Sequence, residues 1–107
     1  MNQKAKQRII EMRRRINKNN NPHLSRNLKY IRYYVLNCTQ REIADTLSID
    51  RSTYSYWEGG QVEPSLRMLK EIIECFRKKG VVVDYNMLLL TDIVYEDLTF
   101  NENFTEE

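Results

Sequence analysis

Thr39 to Ser65 reads TQREIADTLSIDRSTYSYWEGGQVEPS, and its local chemistry describes two short helices, a tight turn and a return loop. Thr39 and Glu42 have the S/T-x-x-E spacing of a capping box, in which each side chain satisfies a free backbone N–H at a helix start. Ile43, Ala44 and Leu47 then share one face, which gives the first helix a narrow apolar stripe. Ser48-Ile49 makes the turn, with Ile49 pointing inward. Asp50 is placed to cap the second helix, and Gly59-Gly60 to stop it. Between those limits only Tyr54 and Trp57 have the character of buried residues. Arg51, Ser52, Ser55 and Tyr56 are left on a short, polar, hydrogen-bonding face.

A short polar helix held by a tight turn on a capped partner is the arrangement of a helix-turn-helix reader of the DNA major groove. The residues also carry a resemblance. Cys38-Thr39-Gln40, Glu42-Ile43-Ala44, Leu47-Ser48-Ile49, Arg51-Ser52-Thr53, Ser55, Trp57-Glu58, Gly60 and Pro64-Ser65 stand in register with one family pattern. It is that of the lambda-repressor-like, or Cro/Xre-type, helix-turn-helix family, and the likeness covers about Leu28 to Leu89. The chain departs from the pattern in three places. Ser48 replaces the usual turn glycine, one extra residue separates Arg32 from Thr39-Gln40, and about three extra follow the fourth helix.

The resemblance implies an all-α, five-helix fold with its third helix, about residues 51–58, in the major groove. It implies base contacts from Arg51, Ser52, Ser55 and Tyr56. Arg51 stands at the start of that helix, and arginine can donate two bonds to guanine O6 and N7. Thr39 and Gln40 lie at the start of the second helix, where an amide and free backbone N–H groups can hold a phosphate. Arg32 and Glu58 resemble the family's buried ion pair between helix one and the end of the recognition helix.

Charge is distributed unevenly along the chain. Formal net charge over 107 residues is only +2. Residues 1–32, however, hold ten Lys or Arg against one Glu, and residues 71–107 hold three against nine Asp or Glu. A basic head and an acidic tail flank a nearly neutral middle. Residues 1–21 are expected as a basic arm or helix, residues 22–90 as the DNA-binding domain, and residues 91–107 as an acidic, apolar segment. Ala5, Ile9, Met12 and Ile16 form a helical stripe in the head beside Lys4, Arg8, Arg15 and Lys18. That stripe suits phosphate contact, plain solvation or subunit packing.

Within the domain, Leu24, Leu28, Ile31 and Val35 predict a first helix with Ser25 placed to cap its start, ended by Asn37. Ser65 is placed to cap a fourth helix with Leu66, Leu69, Ile72, Ile73 and Phe76 facing inward, and Gly80 to end it. Val81-Val82-Val83 is extended, and Asp84 opens a short fifth helix through Leu90. From Thr91 onward, Ile93, Leu98 and Phe100 are interleaved with acids, as expected of a segment that packs on the domain or on a partner.

Catalysis and cofactors find little support. His23 is the only histidine, no nucleophile–base pair or Gly-rich phosphate loop shows, and no metal site can be assembled. Cys38 and Cys75 read as small buried hydrophobes of a cytoplasmic protein. The expected function is sequence-specific transcriptional regulation, as a repressor acting on double-stranded DNA as a homodimer, with no membrane involvement. Two alternatives stand beside it. One is the antitoxin of a toxin–antitoxin pair, which holds its toxin through the C-terminal segment. The other is a protein-interaction module on the same fold.

Overall fold

The computed structural model describes residues 21–101. The basic helix expected over residues 2–18 and the tail from Glu102 onward, with Phe104, lie outside them.

Asn21, rather than Ser25, caps the first helix. Its Oδ1 accepts from the Leu24 N–H at 2.9 Å. Pro22 takes the first helical position, where a missing N–H costs nothing. Ser25 is inside the helix, its hydroxyl bonded back to the Pro22 carbonyl at 3.3 Å. Helix α1 (Pro22–Lys29) then runs on without a break into a π-helical turn, Tyr30–Val35. The Leu36 N–H donates to the Ile31 carbonyl, five residues back, at 2.8 Å. A π-turn takes up more chain than an α-turn. It thereby absorbs the extra residue between Arg32 and Thr39 and leaves Leu28, Ile31 and Arg32 facing inward. Asn37 ends the element in the left-handed conformation, φ 52°.

Thr39 opens α2 (Gln40–Leu47), its hydroxyl accepting from the Glu42 N–H at 3.0 Å. Ser48 makes the turn at φ 59°, ψ 43°. Asp50 holds the capping position of α3 (Arg51–Gly59), but its carboxylate makes no capping hydrogen bond. Gly60 closes α3 at φ 76°, a conformation that glycine adopts freely. Ser65 caps α4 (Leu66–Lys78) through the Met68 N–H at 3.1 Å. Leu69, Ile72, Cys75 and Phe76 are its buried stripe, with Ile73 half-buried. Leu66, expected inward, is 74% exposed because it sits one turn before that stripe begins. Asp84 caps α5 (Tyr85–Leu90) through the Met87 N–H at 2.8 Å.

Helices α2 and α3 pack on each other, α1 packs against α3 and α5, and α4 closes over α2. Tyr54, Trp57, Ile43, Phe76 and Leu88 meet in one core. Two-residue strands β1 (Val81–Val82) and β2 (Thr99–Phe100) pair antiparallel, with Val81 opposite Phe100. The segment from Thr91 thus packs on the domain as far as Asn101. Ile93 is buried in the common core and Leu98 packs against it.

Asn27 holds that return. Its buried amide donates to the carbonyls of Leu88 at 2.9 Å and Thr91 at 2.7 Å, and its Oδ1 accepts from the Ile93 N–H at 2.9 Å. Asn21 adds a bond to the Leu89 carbonyl at 3.1 Å, and His23 meets Asp92 at 2.8 Å.

Candidate nucleic-acid interface

One polar network runs from the interior of the domain to its exposed face. Arg32, from the π-turn, donates to both oxygens of Glu58 near the end of α3, at 2.5 and 3.0 Å. Its remaining nitrogen donates to the Cys38 carbonyl at 2.7 Å. The bonds to Glu58 hold the Arg32 guanidinium charged, pushing its pKa above the ordinary arginine value against the opposing effect of burial. The Tyr54 hydroxyl lies beside this pair, buried and without a hydrogen-bond partner among the described residues. Burial, reinforced by the Glu58 charge, pushes its ionisation well above the usual tyrosine range.

Glu58 also accepts from the Gln40 amide at 3.1 Å. Gln40 is the first residue of α2, the end at which that helix has free backbone N–H groups. The other end of the same amide accepts from Arg51 Nη1 at 3.2 Å. Arg51 in turn is the first residue of α3. The starts of both helices are therefore joined through one side chain, which is itself fixed to a buried ion pair.

Around this junction the expected reading residues fall as the sequence placed them along α3. Arg51 and Ser52 are exposed, Ser55 is half-buried and Tyr56 is 52% exposed. Thr39 is exposed at the mouth of α2 while its hydroxyl is engaged as the cap. Val62, in the loop after α3, is an exposed apolar neighbour that sequence pattern alone does not single out. Its N–H points to the Tyr56 carbonyl at 3.5 Å, an association visible only once Gly60 turns the chain back. The role of Asn27 is likewise unexpected from the sequence. A signal for it exists, since Asn27 sits with Leu24, Leu28 and Ile31 on the inward stripe of α1.

The family model described as Helix-turn-helix matches residues 31–81, from the π-turn through β1. This is a lambda-repressor-like, Cro/Xre-type helix-turn-helix domain. No curated protein and no solved structure matches the chain. The helix-turn-helix family is a DNA-binding one rather than a catalytic one, so the chain carries a DNA-binding regulator domain. Among the described residues, no group of His, Cys, Asp or Glu is placed to hold a metal ion. No helix there is long and apolar enough to cross a membrane.

Proposed function

We propose that the protein is a sequence-specific transcriptional repressor that reads the major groove with α3 and works as a homodimer. The observation that carries this reading is the position of Gln40, bonded at once to Arg51 and Glu58. Arg51, Ser52, Ser55 and Tyr56 supply base contacts. Thr39, Gln40 and the N-terminus of α2 hold a phosphate that sets the register. The basic head adds phosphate contacts on either side. One short helix reads only a few base pairs, so useful specificity calls for a second copy on a paired half-site. The packing of residues 91–101 on their own domain supports this reading over an antitoxin whose tail is kept for a toxin.

Selection of bound duplexes from a random pool tests the proposal. The expected product is a paired site with half-sites separated by roughly one helical turn or a multiple of it. A pool that never converges on a sequence would reduce the protein to a non-specific binder. A single unpaired site, with a monomer in sedimentation, would remove the dimer.

A further inference from the structure

The π-turn carries three tyrosines on the outer side of α1. Tyr33 is 54% and Tyr34 71% exposed, while Tyr30 is half-buried beneath them. Their rings brace one another, with centroids 4.9 Å apart for Tyr33 and Tyr34, edge to face, and 5.8 Å for Tyr30 and Tyr34. The Arg26 guanidinium stands 5.7 Å from the Tyr30 ring, and that of Arg32 5.8 Å from the Tyr33 ring. Rings held this way lose little freedom when they bind.

Two further observations select the partner. From Asn21 to Arg41 the chain contains no Asp or Glu, and Lys29 and Arg41 are exposed. Arg26 is matched by Asp92 of the return segment, 4.0 Å away, so the unmatched cations lie toward the π-turn and α2. Such a surface suits a polyanion. It opposes pairing with its own copy, which would set Lys29 against its equivalent. The second observation is position. The guanidinium under Tyr33 is the one that donates to the Cys38 carbonyl and to Glu58, and Glu58 holds Gln40. Tyr33, with Tyr34 packed on it, thus touches the guanidinium whose partner Glu58 fixes Gln40 at the start of α2.

We propose that Tyr33 and Tyr34 form a second anchor on the DNA backbone. Their hydroxyls donate to phosphates flanking the one held at the start of α2, while Lys29 supplies the countercharge. A tyrosine hydroxyl can bond a phosphate without reading sequence. The inference rests on the DNA-reading role proposed above and adds a binding site to it. It also gives the π-turn a use: the extra residue, absorbed there, keeps Arg32 on Glu58 while Tyr33 and Tyr34 stay outside.

The test uses the full chain with Tyr33→Phe, Tyr34→Phe and the pair together, beside Gln40→Ala, Arg51→Ala and Lys29→Gln. Phenylalanine keeps the ring contacts, and thermal melting verifies that each variant folds. Affinity is measured on selected and random duplexes over a range of salt. The double Phe variant should bind both duplexes about tenfold more weakly, the scale of a hydrogen bond to a charged group. Its salt slope should be unchanged, because a neutral hydroxyl releases no counterion. Lys29→Gln should lower that slope by about 0.9, one phosphate being no longer neutralised. Unchanged affinity in the double Phe variant, with Gln40→Ala still weakening binding, would overturn the second anchor and leave the DNA-reading role standing. If Gln40→Ala and Arg51→Ala were also silent, the DNA-reading role itself would fall. A change of association state in the Phe variants would assign the tyrosines to a second copy and likewise overturn the proposal.

Discussion

Arg32 and Glu58, 26 residues apart in sequence, form a two-pronged ion pair whose side chains are only 8% and 4% exposed. The pair ties α1 to the end of the helix that carries the reading residues, and the Gln40 amide is fixed to that end through Glu58. Removing one member leaves the other charge buried and alone, which costs about 3–5 kcal/mol. Arg32→Met and Glu58→Leu should each lower stability on that scale in denaturant titration. The double variant should recover much of the loss, since an apolar pair of similar volume avoids desolvating two charges. Additive losses would mean that the two side chains stabilise the domain independently.

The domain does not end at Leu90. Ile93 is buried, and Asn27 bonds the carbonyls and N–H groups of the segment that brings it there. Cutting the chain after Leu90 should therefore unfold the domain or strip it of several kcal/mol, while cutting after Asn101 should leave its melting intact. Asn27→Ala should cost about 3 kcal/mol or more, because several buried backbone groups lose their partner together. A stable, cooperative fragment ending at Leu90 would show that the return segment is an accessory.

The contrast between these features and the caps shows what can be read from the chain. Thr39, Ser65, Asp84 and Gly60 act on backbone groups within a few residues, so local sequence reveals them. Asp50 obeys the same rule by position, yet its carboxylate makes no capping bond, since capping depends on side-chain geometry as well as on place in the chain. The π-turn has no local signature. It exists because Arg32 must reach Glu58 across an extra residue, a requirement that only the folded domain imposes. Strands of two residues are too short to show an alternating pattern, so the β1–β2 pairing was hidden as well. In the candidate site the place of each proposed reading residue on α3 followed from the sequence. The bond from Arg51 to Gln40 could not, since it depends on how far two side chains reach between helix starts.

Ser48 holds a left-handed turn that costs an L-residue about 1–2 kcal/mol. Ser48→Gly should recover part of that, less the roughly 0.5–1 kcal/mol that glycine's freer unfolded chain takes back. A rise in melting temperature of a few degrees is the expected outcome, with DNA preference unchanged. A lower melting temperature would show that the serine side chain contributes something the backbone geometry conceals.

Burial pushes the Cys75 thiol up to about 11, and Cys38, half-buried, is raised by the same cause. For Cys75 the folded state holds its proton over a range in which the unfolded chain, near the ordinary cysteine value, has released it. The associated stability is complete below about pH 8.5 and is lost as pH rises toward 11. Stability measured across that interval should fall by an amount on the order of 2 kcal/mol through this group. Cys75→Ala should start lower, because of the small cavity, but follow a flatter curve. Parallel curves would assign the alkaline loss to tyrosines or lysines instead.

On the proposed reading Gln40 bears on both affinity and preference, because it stands at the start of α2 while its amide oxygen accepts from Arg51 at 3.2 Å. A residue that only bound phosphate would weaken all duplexes alike when removed. Here Gln40→Ala should also release Arg51 from its fixed orientation, relaxing preference at the base pair that Arg51 reads. Arg51→Ala alone should cost about 1–3 kcal/mol on the preferred site and little on random duplex. The two losses should not add. In the double variant the preferred site should lose less than the sum of the single losses, with a coupling on the order of 0.5–3 kcal/mol, the range found for residues sharing a network. On random duplex, where Arg51 makes no specific bond, the coupling should vanish. Strict additivity on the preferred site would mean that the Gln40–Arg51 bond is broken when DNA binds, and that phosphate holding and base reading are separate tasks.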